Sequence, residues 1–147
     1  MMRTSCLKDL KSPVKEWDKF MKAARIYRPG TIVIEDIPLP QLGERDVLIK
    51  VHRVGICGTD VGVYHGYVPA KLPITLGHEF SGIIEKLGSP SLGGLKEGDP
   101  VTAAGGWGCG TCEYCQKGTP QFCKNRKALG RTVDGCMAEF VKIDYQV

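Results

Sequence analysis

Val54-Gly55-Ile56-Cys57-Gly58-Thr59-Asp60, followed downstream by Leu76-Gly77-His78-Glu79-Phe80-Ser81-Gly82, decides the reading of this chain. Cys57 and His78 are natural ligands for Zn²⁺, which accepts thiolate sulfur, imidazole nitrogen or carboxylate oxygen in a tetrahedral shell. Asp60 and Glu79 can be further ligands, or groups that orient the histidine ring. Thr59 offers a hydroxyl able to handle a proton. On these residues alone the pair can equally be a buried thiol and a satisfied core imidazole, because cysteine is so often simply buried.

A second cluster lies downstream. Cys109-x₂-Cys112-x₂-Cys115-x₇-Cys123 places four of the seven cysteines within fifteen residues. Two-residue gaps let a tight turn aim neighbouring sulfurs at one ion, and the longer gap lets the chain return to close a tetrahedron. A Cys₄ shell leaves no open position, so such a site is structural and not catalytic. It would contribute folding energy to a loop with few apolar residues. An iron–sulfur cluster and redox disulfides use the same residues. The odd cysteine count makes a poor disulfide framework and suits metal ligation in a reducing compartment, so the protein is read as cytoplasmic. Cys136 is read as a small buried thiol and Cys6 as irrelevant.

Together with Glu97-Gly98-Asp99-Pro100-Val101, these segments resemble the medium-chain zinc-dependent alcohol dehydrogenases, in particular their N-terminal GroES-like catalytic domain. The resemblance runs from about Met21 to the end of the chain. It implies a mainly β, partly open GroES-like barrel with short helices and a zinc lobe at 105–125. It decides for zinc at Cys109, Cys112, Cys115 and Cys123, with Trp107, Tyr114 and Phe122 packed around them. It implies a second, catalytic zinc held by Cys57 and His78, with Glu79 beside the metal. Asp60 would orient the histidine, and Thr59 would take the proton of a small-molecule alcohol while a hydride passes to NAD or NADP. The lobe and the Cys57–His78 gap look more like the polyol, threonine and secondary-alcohol members than the quinone reductases. One departure is Gly62, where the family often has a histidine of the outer proton relay; His65 sits elsewhere on the same short helix. A second is that the family's Rossmann domain and remaining zinc ligand come later, so residues 21–147 are expected to be one domain of a longer homo-oligomeric enzyme. The alternative is a stand-alone structural zinc module without redox activity.

The rest of the chain agrees with a soluble, mostly β domain. Residues 1–30 carry eight Lys/Arg against three acids, a net +5, while 31–147 carry twelve against thirteen. A body without basic bias gives nucleic-acid binding little support. No apolar run approaches the roughly eighteen residues of a membrane span, so no membrane partner is expected. Ala24–Tyr27 and Ile32–Glu35 flank Arg28-Pro29-Gly30-Thr31, where Pro then Gly suits a type II turn and a hairpin. Strands are expected over Asp46–Val54, Glu79–Leu87, Asp99–Ala104 and Met137–Ile143, and a short helix over Thr59–Tyr64. No G-x-G-x-x-G occurs, so Gly105–Gly110 reads as turns rather than a dinucleotide fingerprint. Residues 1–20 are read as an extension, preferably a start-site artefact. Apolar residues at 7, 10, 14, 17 and 20 alternatively make it a short helix, and a targeting segment is the third reading.

Overall fold

Strand-length apolar runs broken by Gly and Pro favour a β architecture. The computed structural model, which describes residues 19–90 and 92–145, is built mainly of strands. In chain order they are β1 (Phe20–Arg28), β2 (Thr31–Pro38), β3 (Asp46–Gly55), β4 (Ile74–Thr75), β5 (Glu79–Leu87), β6 (Pro100–Val101), β7 (Gly106–Trp107), β8 (Lys127–Ala128) and β9 (Phe140–Asp144). Two short helices, α1 (Gly58–His65) and α2 (Glu113–Gln116), complete the set with a 3₁₀ turn at Pro120–Phe122.

The expected hairpin is present: β1 and β2 pair antiparallel with Ala24 opposite Ile34. Gly30 turns the chain at φ +78°, as the third position of a type II turn demands. β1 is the centre of the sheet β2-β1-β4, and a second sheet runs β6-β5-β3-β9. The segment after Cys136 joins them. Ala24 N donates to Met137 O at 2.8 Å and Glu139 N to Lys22 O at 3.0 Å, while Val51 N donates to Glu139 O at 2.9 Å. One stretch of backbone therefore serves both sheets and wraps them into a partly open barrel. Val47, Ile49, Phe80, Ile84, Trp107, Leu129 and Val141 fill its main core. A smaller cluster of Ile26, Val63, Ile74 and Leu76 seats α1 against the first sheet.

Several expectations are corrected. The last strand, expected over Met137–Ile143, is a ladder only from Phe140, because Met137–Glu139 is committed to β1 on its other edge. The strand expected over Asp99–Ala104 shrinks to Pro100–Val101. Within the glycine-rich stretch read as turns, Gly106–Trp107 pairs with Lys127–Ala128, so a two-residue ladder closes the neck of the cysteine lobe. Trp107 packs into the main core rather than around the cysteines, whereas Tyr114 and Phe122 meet on the lobe with ring centroids 6.0 Å apart. Phe20, counted with the extension, opposes Pro38 in β1. The readings of residues 1–18, Cys6 included, lie outside the described residues.

Candidate metal centres

α1 begins where β3 ends. Cys57 is its N-cap residue in extended conformation and forms a capping box with Asp60. Asp60, 4% exposed, lies one turn in. Its Oδ2 accepts from Cys57 N at 2.9 Å and its Oδ1 from Gly77 N at 3.0 Å. One buried carboxylate thus ties together the two segments on which the sequence placed its candidate ligands. His78 Nδ1 stands 3.5 Å from Asp60 Oδ1, a looser contact than the two backbone bonds. The expected role of Asp60 as orienter of the ring is therefore secondary to its role as a clamp.

The turn into β5 carries the other ligands. Gly77 adopts φ +93°, and a Cβ there would stand 2.8 Å from Met137 Cγ and 2.9 Å from Cys136 Sγ. Only glycine fits, and the turn it makes delivers His78 and Glu79 to the end of β5, opposite the end of β3. Cys57, His78 and Glu79 each present one ligand atom, and these atoms all lie within 4.8 Å of one another. The separate-core alternative for Cys57 and His78 is excluded. Thr59 Oγ1 is 3.8 Å from Cys57 Sγ. With His78 it lines a cleft of about 250 Å³ walled by Ala104, Gly105 and Gly106. Sulfur, nitrogen and oxygen donors in one half-buried cluster are a set that zinc accepts. Three protein donors would leave a tetrahedral ion one further position.

The four lobe sulfurs form the second cluster, again within 4.8 Å of one another. Cys112 and Cys115, flanking the start of α2, bring their Sγ atoms to 3.5 Å. Sulfurs about 2.3 Å from a tetrahedral ion stand about 3.8 Å apart, so the arrangement already has the size of a zinc shell. Cys57, Cys109, Cys112, Cys115, Cys123 and Cys136 are all free, which removes the disulfide reading for the described residues. Hydrogen bonds, first from the Thr111 hydroxyl and then from the backbone of Thr111 and Cys112, lower the Cys109 thiol to about 5. Desolvation and the neighbouring thiols push Cys115 up to about 11. Four sulfurs this close cannot all ionise without a cation between them. The donor set fits zinc.

Behind the first cluster lies Cys136, 0% exposed, with Sγ 3.8 Å from Glu79 O. Burial, followed by the charges of Asp60 and Glu79, pushes it up to about 12. His65 takes no part in the cluster. It stacks on Tyr67, centroids 5.6 Å apart, at the far end of α1.

The alcohol dehydrogenase GroES-like domain model matches residues 43–147. The chain belongs to that family. Among curated relatives of the alcohol dehydrogenase GroES-like family, it is 42% identical over 113 residues to sorbitol dehydrogenase of Halalkalibacterium halodurans, covering 76% of this chain and 33% of that one. It is 40% identical over 119 residues to L-threonine 3-dehydrogenase of Legionella pneumophila, covering 78% and 34%. The chain thus spans about a third of the length of these relatives. Among solved structures, a protein of Sinorhizobium meliloti 1021 described as a zinc-binding dehydrogenase, bound to NADP, superposes with TM-score 0.80 at 38% identity, covering 86% of this chain and 37% of that one. A cobalt- and zinc-bound alcohol dehydrogenase of Pyrobaculum aerophilum gives 0.76 at 31%, covering 85% and 39%.

Reading the sequence for GroES-like motifs missed two residues at the cleft. Arg126 and Arg131 line it together with Thr59 and His78. They follow the lobe in Lys124-Asn125-Arg126-Lys127 and Gly130-Arg131, a basic run whose placement depends on the β7–β8 neck.

Proposed function

We propose that this chain is the metal-holding catalytic domain of an NAD- or NADP-dependent alcohol dehydrogenase that oxidises a secondary alcohol or polyol. The observation that carries this is the convergence of Cys57, His78 and Glu79 onto one donor cluster, whose His78 also lines the cleft that Thr59 shares. An inert zinc module needs only the closed lobe and has no use for a second, open donor set.

Cys57, His78 and Glu79 would hold the catalytic zinc, and Cys109, Cys112, Cys115 and Cys123 the structural one. When bound, the catalytic ion supplies Lewis acidity that lowers the pKa of the substrate hydroxyl. Asp60 holds the two ligand-bearing segments in register. The Thr59 hydroxyl accepts the proton of the substrate alcohol and passes on its own. The carbinol carbon gives its hydride to the oxidised dinucleotide, so the alcohol becomes a ketone and the dinucleotide is reduced. NAD or NADP is bound elsewhere in the full-length enzyme, in keeping with the absence of a G-x-G-x-x-G among these residues. Six free thiols suit a reducing compartment, and we place the enzyme in the cytoplasm as a homo-oligomer.

The test is Thr59→Val in the full-length protein. The variant should keep two zinc equivalents and lose about 10²-fold or more in turnover, the usual contribution of a positioned proton acceptor. Turnover at the wild-type rate would remove Thr59 from the proton path.

A further inference from the structure

The cleft is lined by the chain that enters the lobe, at Ala104–Gly106, and by the chain that leaves it, at Arg126–Arg131. Gly105 lies against His78: a Cβ on it would stand 3.3 Å from both Cβ and Cδ2 of the ring. Its neighbour Gly106 lies against Arg126, and a Cβ there would stand 2.9 Å from a guanidinium nitrogen. Two consecutive glycines thus lie one against the imidazole and the next against the guanidinium. A Cβ at Gly106 would stand still closer, 2.6 Å, to Lys127 O, so bulk there would disturb the β7–β8 neck as well as Arg126.

Arg131 approaches from the other side. Its Nε donates to Pro69 O at 3.2 Å, which anchors the side chain and leaves the two Nη groups for the cleft. Among the described residues, neither arginine has a carboxylate within ion-pair distance, although Arg25 and Arg45 both do. Two cations without a carboxylate partner among the described residues, Arg131 anchored and Arg126 exposed, line a cavity that His78 and Thr59 also line.

We infer that Arg126 and Arg131 form an anion-recognising wall of this cleft and select a secondary alcohol that also carries a carboxylate or phosphate group. The inference rests on the dehydrogenase reading for the word alcohol, but not for the anion. A guanidinium presents its donors in a planar fork that matches either anion with two parallel hydrogen bonds. The hydroxyl oxygens of a neutral polyol can accept from such a fork, but they bring no charge and bind it more weakly than a carboxylate or phosphate does. The carbinol end would reach the Cys57–His78–Glu79 corner while the anionic end meets the arginines, which fixes which hydroxyl faces Thr59.

Binding to the full-length, zinc-loaded protein is measured by calorimetry without dinucleotide, with sorbitol, gluconate and sorbitol 6-phosphate as probes. One of the two anions should bind at least tenfold more tightly than sorbitol, and which one does identifies the group recognised. Arg126→Ala, at an exposed position that leaves folding intact, should reduce that advantage tenfold or more, and Arg131→Ala likewise. The advantage should shrink with added salt, since the charges are partly solvated. Equal binding of all three probes would overturn the inference. So would an advantage that survives both substitutions, which would mean that the anion meets the metal. A tenfold rise in the KM for the dinucleotide with the anion preference unchanged would assign the arginines to the dinucleotide's phosphates and also overturn it. Arginine-dependent anion binding in a protein that oxidises no secondary alcohol would uphold the wall and refute the dehydrogenase reading.

Discussion

Asp60→Asn should damage the catalytic centre without touching the lobe. In the native chain Oδ2 accepts from Cys57 N at 2.9 Å and Oδ1 from Gly77 N at 3.0 Å, with His78 Nδ1 at 3.5 Å. Asparagine keeps one oxygen and turns the other into a donor. Whichever way the amide is set, one backbone N–H then faces an NH₂ group instead of an acceptor. The loss is one charge-assisted hydrogen bond, about 1.5–3 kcal/mol, and the stranded donor is nearly buried. The expected cost is about 2–4 kcal/mol, a large part of the roughly 5–15 kcal/mol that holds a domain together. Because the clamp joins the Cys57 and Gly77 segments, the variant should also bind its catalytic zinc about 10–100-fold more weakly. Denaturant unfolding of the metal-free protein reads the first quantity, and competition with a chromophoric chelator the second. One zinc equivalent, the lobe's, should titrate as in the wild type. A variant within about 0.5 kcal/mol of wild type, with both zinc equivalents unweakened, would refute the clamp.

Three further outcomes follow from the geometry. Cys112→Ser should lose one metal equivalent and expose 109–123 to protease; iron in place of zinc, or unchanged zinc, would contradict a Cys₄ zinc lobe. The thiol of Cys136 has a folded pKa of about 12 against 9.0 for a free thiol. Its burial therefore contributes stability fully present below pH 9 and lost as the pH rises toward 12; wild type should lose more stability across that window than Cys136→Ala, and parallel curves would contradict this. Gly62→His should destabilise. A Cβ at 62 would stand 2.6 Å from Val68 Cγ2. Overpacking costs about 1–3 kcal/mol, against a helix-propensity gain below about 0.7 kcal/mol, so the unfolding midpoint should fall.

Much of the site was legible because metal ligands are few in kind and their spacings are local. The lobe needs nothing beyond fifteen consecutive residues, so x₂-x₂-x₇ nearly describes its geometry. Cys57 and His78 were harder, since β3 and β5 must align their ends before the two residues meet. The Asp60 clamp was only partly legible: the sequence offers the histidine, which does stand beside the carboxylate, whereas the closer donors are backbone N–H groups that no residue letter reveals. Strands with strong alternation, β3 and β5, were found almost to the residue. The two-residue ladders β4, β6, β7 and β8 carry too few side chains to show a period, and their pairing is decided by the rest of the barrel. Trp107 was drawn to the cysteines by proximity along the chain, but the β7–β8 neck turns its ring inward. Arg126 and Arg131 escaped notice for the same reason, as only the return path of the lobe brings them to His78.

The seam at Met137–Glu139 imposes an order on biosynthesis. Lys22 and Glu139 share a hydrogen bond across 117 positions of sequence, so the Lys22–Ala24 part of β1 waits far longer for its second edge to be covered than Arg25 and Ile26, which pair with β4. Until then the amides around Lys22–Ala24 form an open edge that another nascent chain can pair with. Contacts this distant in sequence also slow the search for the native state. Residues 135–137 brace the 75–77 turn that delivers His78, through Gly135 N to Thr75 O and Met137 N to Leu76 O at 2.8 Å each. A ribosome that stalls before codon 137 would thus release a chain with both candidate donor clusters in its sequence and no brace beneath the histidine, a product that chaperones would have to shield.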